Sequence, residues 1–407
     1  MSDTATTLIT GFPAYLSQRM ARAAVAAGPA ARVLLLCQDD ATAAATAFLD
    51  TLPESHRERV QVVLGEVGAM DLGMSGVDYR QVTAETTIIH HITGADALSA
   101  DAGTLRRLHL HGAHNLIELA TACTRLRRMC HFSSAQVAGK RTGVVLEEEL
   151  DEGQSFRNIY EEIQCAAEKR IRAAMARLPI TVLRPSVIVG DSQTGEIDRF
   201  DGPYYLMSLI MRNATQVNLP LPGRGTAPLH LVPIDYVIAA AEALSHDGRA
   251  AGGTFHLVDP NPLSARRVYE LVAEHAHTAQ PRGSIPTGLA RTLMRAPGIE
   301  RLARAPRAFM DAFDHQVFYN SRRAHERLAP AGVFCPPFDS YVGPLLRYLE
   351  AHIGKRKRSQ SSAEHVIPSP DALATGGANA ERDPGASTPP PRSPPPAHGD
   401  ALDDPFD

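Results

Sequence analysis

The sequence predicts an α/β fold: a doubly wound parallel sheet, a smaller and mostly helical C-terminal region, and a disordered tail. Short apolar runs alternate with helical patterns over residues 6–135, which is typical of strand–helix–strand proteins. The run "RVLLLC" (32–37) shows no polar alternation, as expected of a parallel strand buried on both faces. Beyond residue 354 proline is enriched and large apolar side chains are rare, so this segment has too little apolar surface to offset the entropy of ordering.

The predicted elements follow in chain order. The first strand is "TLIT" (7–10), and the first helix has Pro13 in its first turn and Gly28 just past its end, as helix-terminus preferences favour. Later strands are predicted by the runs "RVLLLC", "RVQVVLGEV", "TTIIHHITG", "LRRMCHFSS" and "ITVLRPSVIVG", with a helix in "TLRRLHLHGAHNLIELATAC". The predicted regions are residues 1–195 with sheet and helix returns from 228–260, a cap over 196–354, and the tail over 355–407.

Composition excludes several classes of protein. The formal net charge is -4, so no general attraction to nucleic acid is expected. The five cysteines form no CxxC pair and no metal-type spacing, which predicts no metal site and a reducing, cytoplasmic location. The N-terminus lacks the pattern of a signal peptide and no run is long enough to span a bilayer, so no transmembrane segment is expected.

The loop "TGFPAYLS" (10–17) joins the first strand to the first helix, where a dinucleotide-binding loop normally carries three glycines. Gly11 occupies the first position, while Ala14 and Ser17 occupy the second and third. The alanine Cβ stands where a pyrophosphate requires bare backbone. An ordinary strand–helix turn is therefore an equal alternative to a nucleotide loop. The candidate binding residues here are Thr10, Gly11, Ala14, Tyr15 and Leu16.

The second strand ends in Gln38, Asp39 and Asp40. At this place an acid bonds the ribose of NAD, and an arginine accommodates the 2′-phosphate of NADP. No arginine is present at the turn. The two aspartates either repel a 2′-phosphate or are ordinary solvated loop acids.

Six separated motifs carry a family resemblance. They are the TGxxxxL loop, "GEV" (65–67), "HHITGA" (90–95), "HFSSAQVAG" (131–139), "YEEIQ" (160–164) and "LRPSVIVGDSQTG" (183–195). In this order they resemble the extended short-chain dehydrogenase/reductases, and most closely the male-sterility-type group of fatty acyl-CoA reductases and thioester reductase domains. The resemblance covers about residues 7–350.

The resemblance implies a Rossmann-type NAD(P)-binding domain with a substrate cap. It also implies hydride transfer to an acyl thioester or aldehyde, offered as a small molecule or on a carrier. The cofactor is NADP by resemblance, or NAD because Gln38 replaces the arginine and Asp39 follows it. Further cofactor-binding positions carried over from the family are Gln38, Glu66, Val67, Thr93, Gly94, Pro185, Ser186 and Ile188.

The catalytic positions implied by the family depart from its pattern. Ser134 and Tyr160 match the substrate-binding serine and the proton-donating tyrosine, but Gln164 replaces the lysine and His109 replaces an asparagine. A lysine ammonium ~4 Å from the phenol contributes about 4 kcal/mol at an effective dielectric of ~20. Its loss is expected to slow the reaction by on the order of 10²–10⁴.

Three hypotheses remain open at this point: a working reductase in which His109 or water replaces the lysine, a degenerate member that binds a nucleotide or acyl ligand as a sensor or scaffold, and an enzyme with altered chemistry. For His109 itself the alternative is a structural histidine bonded to backbone.

The C-terminal part offers weaker signals. Residues 199–225 suit either an acyl chain or a plain core helix. An arginine-rich stretch over 286–307 and "KRKR" (355–358) are candidates for phosphate, carrier or peripheral membrane contact, or for ordinary solvated surface. The proline-rich "PPPRSPPP" of the tail is a candidate ligand for a partner domain.

Overall fold

Seven parallel strands form the central sheet of the computed structural model, which describes residues 5–93, 101–211, 221–280, 282–285 and 315–363. The described strands are, in chain order, β1 (Thr6–Ile9), β2 (Arg32–Cys37), β3 (Val60–Leu64), β4 (Ile88–His91), β5 (Arg128–Phe132), β6 (Gly143–Val145), β7 (Ile180–Pro185), β8 (Val187–Val189), β9 (Leu221–Pro222), β10 (Leu231–Pro233), β11 (Thr254–Leu257), β12 (Ser284–Ile285) and β13 (Val317–Tyr319). The sheet order is β3-β2-β1-β4-β5-β7-β11. The chain reverses direction across the sheet between β1 and β4, and such a switch point is where doubly wound folds bind ligands.

Helices cover both faces of the sheet. The described α-helices are α1 (Tyr15–Ala26), α2 (Thr42–Asp50), α3 (Glu54–Arg57), α4 (Gly76–Glu85), α5 (Ala102–Leu105), α6 (Gly112–Ala122), α7 (Ile159–Ala174), α8 (Pro203–Met211), α9 (Ile234–His246), α10 (Ala265–His275), α11 (Arg322–Leu328) and α12 (Phe338–Ala363). A π-helical turn over Arg106–His111 joins α5 to α6. The predicted doubly wound parallel sheet is confirmed.

Strand alternation divides the apolar residues between two cores. Ile9 packs on one face of the sheet with α1 and α9, whereas Leu8 packs on the other face with α6 and α7. Both side chains are fully buried, because the sheet is covered on both sides and its strands need no polar alternation. Later in the chain, β11 joins the same sheet by pairing with β7.

The C-terminal region builds a third core from α8, α10 and α12. Tyr204 and Met207 of α8 are buried in it, so α8, the helix within the stretch 199–225, packs into a core. The last helix includes residues 355–363, which the sequence assigned to the disordered tail. The arginine-rich stretch over 286–307 lies outside the described residues, as does the tail beyond 363 with its proline-rich motif.

The described residues up to Lys355 belong to one compact unit. The boundary between sheet domain and cap at residues 195–196 therefore stays a prediction. None of the helices in the described ranges is both long and apolar enough to cross a membrane.

Candidate active site

The loop after β1 makes a tight turn at Gly11. Gly11 has φ +83°, and a Cβ there would lie 2.3 Å from the carbonyl oxygen of Ile92, so this position requires glycine. Helix α1 begins directly afterwards and no side chain caps its N-terminus. The first-turn amides of Tyr15, Leu16 and Ser17 therefore have no intrahelical partner, and they form a ready site for an anion.

Ala14 and Ser17, which stand where the usual loop has its second and third glycines, change this anion site. The amide of Ala14 donates to the carbonyl oxygen of Gly11 at 3.0 Å, so it is already used within the turn. Ser17 is fully buried, and its hydroxyl donates to the carbonyl of Ala14 at 2.7 Å. The third glycine of the usual loop serves close helix–strand packing, and the inward serine occupies that place here.

A cavity of about 460 Å³ opens at the carboxyl ends of β2 and β3. Gln38, Asp39 and Asp40 line one side of it, and Glu66 and Arg107 line the other. Arg107 forms an ion pair with Glu66. Among the residues that line the cavity, Asp39 and Asp40 therefore have no neutralising cation. The size of the cavity suits a ligand of nucleotide class.

The remaining predicted cofactor positions lie along the same edge. Val67 follows β3, and the side-chain amide of Asn115 donates to its backbone carbonyl at 2.8 Å. Thr93 follows β4, while Gly94 lies outside the described residues. The last three predicted positions are Pro185 at the end of β7, Ser186 between β7 and β8, and Ile188 within β8. The hydroxyl of Ser186 has no hydrogen-bond partner among the described residues.

Tyr160 and Gln164 meet directly in the first two turns of α7. The side-chain amide of Gln164 donates to the hydroxyl oxygen of Tyr160 at 2.8 Å. This bond leaves the tyrosine proton free to be donated elsewhere. Burial raises the pKa of Tyr160 above its ordinary value, and the bond from Gln164 opposes that shift without supplying a charge. The phenol is therefore neutral at physiological pH.

His109 lies beside this pair, in the π-helical turn before α6. Its ring meets the ring of Tyr160 edge-on, with centroids 5.5 Å apart. Burial lowers the pKa of His109 to about 4, and its contact with Gln164 partly offsets that shift. Within the described part of the chain, His109 Nε2 and Gln164 Oε1 nevertheless both lack a hydrogen-bond partner. The histidine is thus neutral and lies beside the tyrosine.

Two more histidines, His91 of β4 and His131 of β5, lie on the sheet beneath α7. They are register partners, and their rings are 5.1 Å apart. Burial lowers the pKa of His131 to about 3 and that of His91 well below 6.5, with the neighbouring histidines adding to both shifts. Both nitrogens of His131 and Nε2 of His91 lack partners in the described ranges. We call His91, His109, His131 and Gln164 the histidine cluster.

A second buried group lies one turn further along α7, and we call Ser133, Glu168 and Arg184 the charge cluster. The hydroxyl of Ser133 donates to Glu168 at 2.6 Å. Arg184 donates to the same carboxylate through Nε and its second amino group, the latter at 2.6 Å. Its other contacts are the backbone carbonyls of Glu147 and Glu149 and the ring of His256. This cluster fixes α7 on the sheet.

Ser134 belongs to neither cluster and begins the turn that follows β5. Its hydroxyl accepts the amide of Gln136 at 3.1 Å, and α7 packs against this turn. A second cavity of about 60 Å³ adjoins the turn, bounded by Gln136, Arg157 and Ser186. The structure thus brings Tyr160 and Gln164 together with His109, and Ser134 begins a turn that packs against α7 and whose residues Ala135 and Gln136 line a small cavity.

The sequence motifs indicated neither the place of Arg107 nor the contact between His91 and His131. The ion pair of Arg107 with Glu66 joins residues from separate segments of the chain, so no local pattern indicates it. A usable signal for the histidines did exist. "IIHH" and "MCHF" place imidazoles inside strands that are otherwise apolar, and a buried polar group needs a reason.

The profile of the male sterility protein family, a NAD-binding family, matches residues 9–241. The chain belongs to this family. The resemblance that the sequence motifs predict is thereby confirmed, and with it a nicotinamide nucleotide as the cofactor of the family.

Curated relatives share limited identity with this member of the family. The non-canonical nonribosomal peptide synthetase hkm10 of Aspergillus hancockii is 23% identical over 51% of this chain and 21% of its own length. Aldehyde reductase lnbA of Aspergillus flavus is 22% identical over 69% of this chain and 27% of its own. Fatty acyl-CoA reductase wat of Drosophila melanogaster is 22% identical over 47% of this chain and 42% of its own. The chain thus spans less than half the length of each of these relatives.

Solved structures share the fold. The terminal R domain of the myxalamid PKS-NRPS pathway superposes with a TM-score of 0.73 at 21% identity, over 87% of this chain and 92% of that one. UDP-glucuronic acid 4-epimerase from Bacillus cereus, solved in complex with NAD, superposes with a TM-score of 0.59 at 14% identity, over 85% of this chain and 99% of that one.

Proposed function

We propose that this member of the male sterility family is a slow, nicotinamide-dependent reductase of an acyl thioester or aldehyde. The observation that carries the proposal is the hydrogen bond from Gln164 to the hydroxyl oxygen of Tyr160 at 2.8 Å. It holds the tyrosine as a proton donor.

A bound reduced nicotinamide would supply the hydride. Amides at the start of α1 would hold its pyrophosphate beside Gly11, and the cavity beyond would take the adenosine. Ser134 would bond the substrate oxygen, and Tyr160 would donate a proton to that oxygen as negative charge develops. Gln164 orients the phenol but brings no charge, so the missing ammonium, worth about 4 kcal/mol at an effective dielectric of ~20, leaves the reaction slow.

NADH is the proposed cofactor in preference to NADPH. The adenosine cavity presents Asp39 and Asp40, while the arginine that lines it, Arg107, is already paired with Glu66. A 2′-phosphate would meet two uncompensated carboxylates at short range, and like charges so placed are unfavourable. A ribose hydroxyl can instead donate to either of them.

Titration calorimetry with NADH and NADPH tests this preference. We expect NADH to bind at least roughly tenfold tighter, which corresponds to about 1.4 kcal/mol. Exchanging both Asp39 and Asp40 for Asn should bring the two affinities together, while Asp50→Asn, at an exposed site on α2, should leave the ratio unchanged. Equal affinities in the unaltered protein would contradict the preference, and binding of neither nucleotide would refute the proposed function.

Turnover is measured next, as oxidation of NADH on addition of a long-chain acyl thioester or the matching aldehyde, free or carrier-bound. We expect slow reduction that Tyr160→Phe abolishes. A second candidate, a sensor that binds nucleotide or acyl ligand without reducing it, is favoured by the raised pKa of Tyr160 and the neutral residue at 164. Tight nucleotide binding with no oxidation of NADH would identify the sensor.

A further inference from the structure

The small cavity beside the Ser134 turn is lined by a buried histidine with an unbonded nitrogen. His230, which directly precedes β10, and Ser186, between β7 and β8, both border this cavity of about 60 Å³. His230 is only 7% exposed. Within the described part of the chain, Nδ1 of His230 and the hydroxyl of Ser186 both lack a hydrogen-bond partner. Because buried polar atoms in folded proteins are nearly always bonded, we expect a partner from outside the chain.

The contacts of His230 make its free nitrogen an acceptor. Nε2 lies 2.9 Å from the backbone carbonyl oxygen of Val317, and a carbonyl can only accept, so Nε2 carries the ring proton. Burial lowers the pKa of His230, so the ring is neutral at physiological pH and Nδ1 carries no proton. The ring of Tyr319 packs edge-on against that of His230, with centroids 4.8 Å apart. The imidazole is thus held in one orientation.

Arg157 also lines this cavity, but its charge is already compensated. Its Nε donates to Glu161 at 2.8 Å, and one of its amino groups lies 3.1 Å from Nδ1 of His315. Nε2 of His315 lies 2.7 Å from the carbonyl oxygen of Arg141, so His315 Nδ1 is an acceptor that Arg157 satisfies. A cation paired in this way offers no uncompensated charge to an anion. The cavity therefore suits a neutral group.

A hydroxyl group matches the two unbonded atoms. It can donate its proton to Nδ1 of His230 and accept the proton of the Ser186 hydroxyl. The apolar part of the wall consists of Ala135, Val187, Pro228, Leu229 and Val317. A single water needs about 10–15 Å³, so a cavity of about 60 Å³ holds only a few non-hydrogen atoms. The hydroxyl-bearing carbon of an acyl chain fits this space, and the whole chain does not.

We propose that this cavity, which we call the hydroxyl pocket, selects acyl thioesters or aldehydes that carry a hydroxyl group close to the reacting carbonyl. Ser134, which would bond the carbonyl oxygen, is followed directly by Ala135 and Gln136, and both line the pocket. A hydroxyl bound there would lie a few bonds from the carbonyl carbon, as in a β-hydroxyacyl chain. The inference rests on the proposed function and narrows its substrate class. His230 is the specificity-determining residue.

Two substitutions of His230 separate the acceptor from the contact with Val317. His230→Gln brings an amide near the position of Nε2, where it can still donate to that carbonyl, and it removes the acceptor at Nδ1. His230→Asn brings an amide oxygen near the position of Nδ1 and removes the contact with Val317. His315→Gln is the matched control, because His315 lines the same pocket and both of its nitrogens have partners.

The kinetic readout is the ratio of kcat/KM for a β-hydroxydecanoyl thioester to that for the decanoyl thioester, with NADH as reductant. We expect the unaltered protein to favour the hydroxylated chain at least about tenfold, because the other chain leaves a buried acceptor unpaired. His230→Gln should bring the two values together, while His230→Asn and His315→Gln should keep most of the preference. Equal kcat/KM values in the unaltered protein would mean that the pocket holds only water. That result would overturn the pocket and leave the proposed function intact.

A binding measurement does not depend on turnover. β-Hydroxydecanoyl amide and decanoyl amide carry no reducible thioester, and calorimetry on the full chain compares their affinities with and without NADH. We expect the hydroxylated amide to bind about tenfold tighter, and His230→Gln to remove the difference. If no thioester or aldehyde is reduced but this difference is present, the proposed function fails and the pocket stands. Equal affinities of the two amides would overturn the pocket whatever the protein catalyses.

Discussion

Helix α7 presents two buried polar clusters to the same sheet, one helical turn apart, and they differ in how fully they are bonded. In the charge cluster every side-chain oxygen of Glu168 and every side-chain nitrogen of Arg184 has a partner. In the histidine cluster five polar atoms have none among the described residues. The first arrangement is what stability requires. The second lowers stability, and such local conflicts are expected at functional sites.

The difference also separates two adjacent serines. Ser133 donates to the buried carboxylate of Glu168 and belongs to the scaffold. Ser134, the next residue, is partly exposed and bonds a local amide. Successive residues of an extended chain point to opposite sides. Ser133 can therefore bond the buried carboxylate while Ser134 faces the candidate site.

The largest expected effect comes from adding charge to the unsatisfied cluster. Gln164→Lys places an ammonium beside the phenol of Tyr160 and should raise the single-turnover reduction rate by on the order of 10²–10⁴. Ala173→Lys, which adds a lysine on the exposed side of the same helix, should change nothing. Unchanged turnover in Gln164→Lys with intact NADH binding would show that charge at 164 is not what limits this protein.

Removing charge from the satisfied cluster should instead damage the fold. Glu168→Ala leaves the guanidinium of Arg184 buried without its carboxylate, which is expected to lower the free energy of unfolding by about 3–5 kcal/mol. Urea denaturation measures the loss. The comparison is Glu162→Ala on the exposed face of α7, expected within about 0.5 kcal/mol of the unaltered protein. A loss of similar size in both variants would mean that the pair is not what holds α7.

The sequence predicts the scaffold better than the site. Uninterrupted apolar runs such as "RVLLLC" indicate strands buried on both faces, and Gly11 marks the turn where a side chain would collide with Ile92. These are local effects of periodicity and backbone sterics. The family motifs also place Tyr160 and Gln164 correctly one turn apart, since four residues on a helix share a face.

The partners of the site could not be read from the sequence, because they come from distant segments. Arg107 pairs with Glu66 beside the cavity, and His131 meets His91 through strand pairing. Neither contact follows from spacing along the chain. Nor does sequence indicate which polar atoms remain unbonded, because that depends on side-chain placement to within fractions of an ångström.

Adjacent serines give a finer contrast between scaffold and site. Ser133→Ala removes a hydrogen bond to a buried carboxylate and should lower the free energy of unfolding by about 1.5–3 kcal/mol. Ser134→Ala should cost clearly less stability and should instead abolish most turnover. Parallel urea denaturation and NADH oxidation assays of the two variants measure both properties. The assignment is wrong if Ser133→Ala spares stability while Ser134→Ala unfolds the protein.

The smallest expected effect concerns acid sensitivity. Burial lowers the pKa of His131 to about 3, with His109 contributing further, whereas an unfolded chain binds the proton near pH ~6.5. Between these two pKa values the unfolded state binds a proton and the folded state does not. The free energy of unfolding therefore falls as the pH drops below ~6.5 and continues to fall to about pH 3. At pH ~5.5 this one histidine should already cost about 1.4 kcal/mol.

His131→Leu removes that contribution, so its unfolding free energy should decline less between about pH 7 and about pH 5.5 than that of the unaltered protein. His90→Leu should flatten the curve by a similar amount, because burial also lowers the pKa of His90 to about 3. The titratable groups that act on His131 are His91 from β4 and His109 from the π-helical turn. If the curve of His131→Leu runs parallel to that of the unaltered protein, His131 accepts a proton in the folded state.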